Sequence, residues 1–237
     1  MPATVDKPDH AGHRFAETAG IVTFMVLELL VAWRAIDHAH NLLTWLVIAG
    51  ATLLGFVIAD FMSGVIHWAF DRYGTVDTLV FGPNFIAPFR EHHLDPKGIT
   101  KHDFIETNGN NCISTVPFLI AAASINPAWG NFALLVACSL AAMCLFVFGT
   151  NQFHKWAHDD NPPAYAVLLQ QWHLILDKPG HDIHHTPPYT RYYCITTGWL
   201  NPVLNKLRFF ERAEDLILRV TGVQGGVDHA KSLQNKP

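Results

Sequence analysis

Apolar residues in this chain gather into long uninterrupted runs. Residues 107–153 contain no Asp, Glu, Lys, Arg or His. A bilayer core about 30 Å thick takes roughly 20 apolar helical residues, so this run predicts two membrane passes joined by the turn "NPAWGN" at 126–131. Residues 42–59, "LLTWLVIAGATLLGFVIA", predict another pass that continues beyond Asp60 to Phe70. Residues 18–33 predict a fourth, in which Glu28 has to face the bundle or an interface. Beyond 153 the pattern changes. "AYAVLLQQWHLIL" (164–176) is too short to span and carries two Gln and His173, which predicts an interfacial or re-entrant helix. Residues 202–222 place Val203, Leu207, Phe210 and Ile217 on a helical period among mixed charges. That is the pattern of an amphipathic helix lying on a membrane or on the domain beneath it. The expected organisation is an N-terminal tail over 1–17, a membrane domain over 18–222 and a loose C-terminal tail over 223–237.

Four passes place both termini on one side, with the connections 34–41 and 126–131 on the other. Of the 16 Lys and Arg, Arg34 alone falls on that other side. The excess of cations therefore predicts that 71–107 and 154–237 are cytoplasmic. Composition agrees: charged residues are 15% of the chain, against about 25% in soluble domains. The competing reading is a buried, all-helical soluble core. A net charge of −4 offers nothing to nucleic acid. Cys112, Cys138, Cys144 and Cys194 form no CxxC pair, so they read as reduced core thiols rather than as cluster or zinc ligands. The N-terminal "MPATVDKPDHAGHRF" is polar, and no small-residue cleavage site follows the first apolar run, so no signal peptide is expected.

Histidine is the outlier, at 15 of 237 residues. His67 ends an apolar run in "GVIHWAFD". His92 and His93 stand in "FREHHLDP" and His102 in "TKHDFIE". His154 and His158 follow the last pass in "NQFHKWAHDD", and His173 and the triple His181, His184 and His185 follow in turn. All of these fall on the predicted cytoplasmic side, near membrane ends. His154 and His158 are four apart, which puts both on one helix face about 5–6 Å apart. On a helix, His181 shares a face with His184 and His185. Adjacent histidines, such as 92/93 and 184/185, suit two nearby metals because each ring can reach a different ion. Imidazole suits Zn, Cu, Fe and Ni, and one catalytic zinc needs only about three protein ligands. So many convergent histidines suit two octahedral irons instead. His102 and His173 also read as satisfied interfacial residues. A bis-histidine haem would bury its histidines inside the spans, which hold none, and no HExxH marks a zinc protease. Iron at a membrane surface can direct O₂ at a C–H bond of a lipid chain reaching up from the bilayer. In that reading, the neighbouring apolar segments form the channel for the chain.

The blocks "GVIHWAFD", "FREHHLDPKGITKHDFIETNGNN", "NQFHKWAH", "LQQWHLILDKPGHDIHH" and "YYCITTGWLN" resemble the plasmanylethanolamine desaturase family, the Kua or CarF lipid desaturases, in order and spacing from about residue 60 to 222. The resemblance implies an all-α integral membrane enzyme, a four-helix transmembrane bundle with a cytoplasmic histidine-rich di-iron cap. It implies two non-haem irons, O₂ as co-substrate and a vinyl ether double bond made at C1–C2 of the sn-1 O-alkyl chain of a phospholipid. The motif histidines that it carries over are His67, His92, His93, His102, His154, His158, His173, His181, His184 and His185, with their division between the irons left open. Asp71, Asp95, Asn108 and Asn111 match polar motif positions and are expected to orient imidazoles, or to act as a weak or water-mediated ligand. Asp95-Pro96 also reads as a plain turn, and "NGNN" as a helix-start loop. One departure stands out: Gly180 takes the place of a histidine in the relatives' last block, which bears on the headgroup accepted.

Neither a haem nor a flavin motif occurs in the sequence, so the electron donor is expected to be a separate protein, of cytochrome b5 or ferredoxin type. The expected location is the inner membrane of a bacterium or the endoplasmic reticulum of a eukaryote. Three alternatives remain at this point. One is desaturation of an acyl chain, as in a plant branch acting on phosphatidylglycerol. Another is hydroxylation on the same metal platform. The last is a non-enzymatic metal-binding membrane protein, which as a transporter would need polar ligands inside its spans.

Overall fold

The computed structural model describes residues 10–79, 82 and 86–226; His229 and the outer parts of both expected tails lie outside them. Every regular element among the described residues is helical: α1 (His10–His38), α2 (Leu42–Arg72), α3 (Ala87–Leu94), α4 (Phe104–Ser124), α5 (Asn131–His158), α6 (Ala164–Gln171), α7 (Lys178–His184), α8 (Asn201–Lys206) and α9 (Phe209–Thr221). The chain divides into two units, Met1–Phe56 with His102–Gln152, and Val57–Lys101 with Phe153–Pro237.

In the first unit, α1, α2 and α5 are the helices long and apolar enough to cross a membrane. α4 follows the predicted third run, but its first half, "FIETNGNNCIST", is too polar to match them. The apolar residues are turned outward: Leu29, Trp33, Leu46 and Leu53 are each more than half exposed, as expected where the solvent is lipid. Inside, Phe24 and Val31 of α1 pack with Cys112, Leu119 and Ala122 of α4 and with Ala141 and Cys144 of α5. Ala35, Ala51, Leu134 and Cys138 form a second cluster. Small residues let the backbones approach. At Gly55 a Cβ would stand 2.6 Å from both Ala142 Cβ and Ser139 O. All four cysteines are free and buried. α1 begins at His10, so part of the expected tail is helical. α4 starts where Asp103 accepts from the Ile105 and Glu106 amides at 2.9 and 3.0 Å, and Arg14 holds that carboxylate at 2.7 Å. At its other end, Arg34 donates to the Ala123 carbonyl.

The second unit contains the ends of α2 and α5 together with α3 and α6–α9. Trp68, Tyr193, Cys194, Leu204 and Phe210 form one buried cluster, and Ala157, Leu176 and Ile195 another. Two expectations are corrected here. The apolar segment 164–176 is helical only to Gln171, because His173 takes a left-handed backbone at φ 53° and breaks the run. The amphipathic segment 202–222 is two helices, not one, because Arg208 is left-handed at φ 51°. The break turns Val203 and Leu207 outward, while Phe210 is buried against Trp68 and Tyr193. α9 is then fixed to α2: Glu214 accepts from Trp68 Nε1 at 3.0 Å and from Arg72 at 2.7 and 2.9 Å.

Candidate metal centre

Four helices of the second unit converge at their C-terminal turns. α2 brings His67 and Asp71, four apart on one face. α3 is a two-turn helix begun by Pro88 and ended at Asp95, and it brings His92 and His93. The tail of α5 brings His154 and His158. α7 is started by Asp177, whose carboxylate accepts from the Gly180 amide at 2.8 Å, with Pro179 in its first turn. It brings His181 and His184, with His185 as its C-terminal cap.

These side chains form two groups with ligand atoms within 4.8 Å of one another: His92, His154, His158, His181 and His185 in the first, and His67, Asp71, His93 and His184 in the second. Each adjacent pair is split. His92 joins the first group and His93 the second, while His185 joins the first and His184 the second. The groups are neighbours, with the His93 and His185 rings 5.1 Å apart and those of His184 and His185 5.5 Å apart. His67, Asp71 and His184 are fully buried, and His154 and His181 nearly so.

Protons cannot satisfy the first group. Its Nε2 atoms make a chain of close contacts: His92 to His185 at 3.1 Å, His185 to His181 at 3.1 Å, and His181 to His154 at 2.8 Å. A ring nitrogen has one in-plane direction, holding either a hydrogen or a lone pair, so it joins one strong hydrogen bond. Along this chain the outer two contacts can be bonded and the middle one cannot. His158 Nε2 is buried without a partner. A central cation serves all of these lone pairs together. Nitrogens bound at right angles on one ion with bonds of about 2.1 Å lie about 3 Å apart, which matches the contacts found. Ligand imidazoles must also be neutral. Burial, reinforced by His158 and His185, holds His92 well below the usual histidine value. Burial with His154 does the same to His181, and burial with His184 pushes His185 down to about 2.

The second group is built around a carboxylate. Asp71 Oδ2 lies 3.0 Å from His93 Nε2, 3.4 Å from His67 Nε2 and 3.5 Å from His184 Nε2, and Asp71 Oδ1 is buried without a partner. Two of the imidazoles are oriented from behind. The Nδ1 of His67 lies 3.1 Å from the Tyr193 carbonyl, and that of His184 2.8 Å from the Arg191 carbonyl. A carbonyl only accepts, so each Nδ1 carries the hydrogen and each Nε2 keeps its lone pair facing Asp71. Both Nε2 atoms are buried without a hydrogen-bond partner. Three imidazoles and a carboxylate fit a divalent cation of the first transition row.

Eight of the ten histidines singled out in the sequence enter these groups; His102 and His173 enter neither. His102 stands beside Glu106 at 3.7 Å. The His173 side chain is 72% exposed, 3.2 Å from Asp177. Asp95 is exposed and 3.5 Å from Lys101. Asn108 donates to the Phe104 carbonyl at 2.8 Å. Asn111 ties α4 to α5, donating to the Val147 carbonyl at 2.9 Å and accepting from Asn151 at 3.3 Å. Asp71, expected to orient an imidazole or to act as a weak or water-mediated ligand, stands among the candidate ligands. The signal for it was present: His67 and Asp71 have the spacing of His154 and His158. The two carbonyl acceptors had no sequence signal, since any residue supplies one.

The lipid desaturase domain family matches residues 56–228. The chain is 47% identical over 213 residues to a plasmanylethanolamine desaturase of Myxococcus xanthus, covering 89% of this chain and 74% of that protein. It is 42% identical over 236 residues to plasmanylethanolamine desaturase 1 of Mus musculus, covering 94% and 84%. The chloroplastic fatty acid desaturase 4 of Arabidopsis thaliana is 34% identical over 175 residues, covering 72% of this chain and 51% of that protein. No solved structure matches.

Proposed function

Since the chain belongs to the lipid desaturase family, we propose that this oxidoreductase forms the vinyl ether bond of plasmalogens in a 1-O-alkyl phospholipid. C1 of the alkyl chain, which is bonded to the ether oxygen, and C2 beside it each lose one hydrogen and become doubly bonded. O₂ accepts those two hydrogens with two electrons and two protons from a donor, leaving two waters. The observation that carries this reading is the pair of adjoining, buried ligand groups at the ends of apolar helices. Two irons held by His92, His154, His158, His181 and His185 on one side and by His67, Asp71, His93 and His184 on the other supply the oxidising power that an unactivated alkyl C–H requires and no side-chain acid or base provides.

The chain's own residues bind and orient. Burial keeps His92, His181 and His185 neutral and excludes water. The Arg191 and Tyr193 carbonyls hold the His184 and His67 rings in one tautomer. Asp71 supplies the negative charge of its group. The electrons come from a separate carrier protein of cytochrome b5 or ferredoxin type. α4 serves as the fourth pass, and the cation-rich segments after α2 and α5 lie in the cytoplasm with both termini, in the inner membrane of a bacterium or the endoplasmic reticulum of a eukaryote.

Expression in cells that lack plasmalogens, followed by lipid mass spectrometry, tests the reading. The expected product is an ether phospholipid lighter by two hydrogens whose signal disappears after mild acid, because vinyl ethers are acid-labile. An acid-stable product lighter by two hydrogens assigns an acyl-chain reaction instead. A product heavier by one oxygen assigns a hydroxylase. No product in cells with a competent donor, from protein that carries iron, refutes the assignment.

A further inference from the structure

We propose that Asp60 is a positioning residue that sets the tautomer of His67 and His184 through the loop 191–200; its consequence for metal binding rests on the reading of the Asp71 group as a metal site. Asp60 lies on α2 two turns before His67 and is 1% exposed. Its Oδ1 accepts from the Thr197 and Gly198 amides at 2.8 and 2.9 Å, and its Oδ2 accepts from the Leu200 amide at 3.0 Å. A buried carboxylate persists only where hydrogen bonds replace its water, and here every such bond holds the same loop. One turn on, Ser63 Oγ accepts from the Ile195 amide at 3.0 Å. Asn201 completes the clamp, accepting from Cys194 N at 2.8 Å and donating to Cys194 O at 2.9 Å.

The residues just upstream of this clamp carry the two carbonyls that meet His184 and His67, those of Arg191 and Tyr193. A free imidazole exchanges its hydrogen between both nitrogens; a fixed acceptor at Nδ1 removes that freedom. Asp60 therefore acts through the backbone on two imidazoles that both belong to the Asp71 group. Among the described residues, the Nε2 atoms of His92, His185, His181 and His154 face one another, and no ring nitrogen of the five-histidine group is bonded to this loop. The effect of Asp60 is thus confined to one of the two groups.

In Asp60→Asn the side chain keeps one acceptor oxygen and turns an N–H₂ toward a backbone N–H that needs an acceptor. Two readouts on the purified full chain in mild detergent test the proposal. With the metal-free chain labelled with ¹⁵N-histidine, His67 and His184 are expected to carry their hydrogen on Nδ1, and Asp60→Asn is expected to mix their tautomers. With ferrous iron added anaerobically against a graded chelator, the unaltered chain is expected to hold two ions. Asp60→Asn is expected to hold one of them unchanged and the other about 10- to 100-fold more weakly, the usual effect of losing an outer hydrogen-bond partner. Ser63→Ala, which removes a single acceptor, is expected to shift the same two signals by less, and it serves as the test if Asp60→Asn does not fold. Unchanged Nδ1 signals in the variants overturn the proposal, as does equal weakening of both ions. Failure of the unaltered chain to take up iron sinks the metal reading alone, since the tautomer measurement still decides the role of Asp60.

Discussion

Acidification of the metal-stripped chain probes the chemical state of the buried imidazoles directly. In the folded chain His92 and His181 lie well below the usual histidine value and His185 lies at about 2, with burial as the largest cause in each case. In the unfolded chain each titrates near 6.5. Between the folded and unfolded values the unfolded state binds more protons, so stability rises with pH there. Read downward, stability is intact above about pH 6.5 and is lost progressively as pH falls below it. At about pH 5.5 the loss is about 1.4 kcal/mol for each of the three histidines and about 4 kcal/mol together. That is a large part of the roughly 5–15 kcal/mol that holds a typical domain. The assay is equilibrium denaturant unfolding in mild detergent at about pH 7.5 and about pH 5.5, followed by tryptophan fluorescence. The unfolding free energy is expected to fall by about 4 kcal/mol. A fall of less than about 1 kcal/mol would mean that the fold accommodates these rings protonated, and the case for converging lone pairs would collapse.

His92→Ala and His185→Ala are expected to lower desaturation at least about 100-fold while the protein still inserts into membranes, as measured by lipid mass spectrometry and membrane fractionation. His102→Ala and His173→Ala, whose side chains join neither group, are expected to keep activity within about threefold; a loss like that of His92→Ala returns them to the centre. Asp71→Asn removes the charge from the second group, and iron per chain is expected to fall from two to one. Gly64→Ala would put a Cβ 2.5 Å from Cys194 Sγ and 3.2 Å from Cys194 N, so thermal unfolding is expected to report a loss of about 1–3 kcal/mol; an unchanged melting temperature would show that the loop has room to move.

The parts of the structure legible in the sequence are those set by local chemistry. Uninterrupted apolar runs predict α2 and α5 because a helix that meets lipid has no polar face to break its pattern. The paired histidines predict two clusters because neighbouring side chains point apart. What the sequence hides is set by the backbone. Nothing in "NKLRFFER" announces that Arg208 adopts φ 51°, and a helical period drawn across that residue joins Val203 and Leu207 to a face they do not share with Phe210. His173 shows the same limit. Its neighbours are apolar and its spacing fits a helix, but φ 53° ends that helix and leaves the ring exposed. Asp71 shows a different limit. As one carboxylate among many histidines it reads as an outer partner or as a weak ligand, and only the structure brings three buried Nε2 atoms around its Oδ2.

One regularity links fold to chemistry. His92 and His93 stand in the last turn of α3, His181 and His184 in the last turn of α7, and His158 in the last turn of α5, while Asp71 is next to the last residue of α2. The C-terminus of a helix carries about half a negative charge from unpaired carbonyls, and this favours cations within the final turn. Four such ends meeting around the imidazoles make a region that draws positive charge although it contains a single carboxylate among its candidate ligands. That arrangement explains why histidine can dominate the site. More carboxylates would be costly to bury without a bound cation, whereas an imidazole brings no fixed charge. Asp71 is the exception, and the guanidinium of fully buried Arg90 is near enough for its field to be felt. The two groups are therefore electrically unequal.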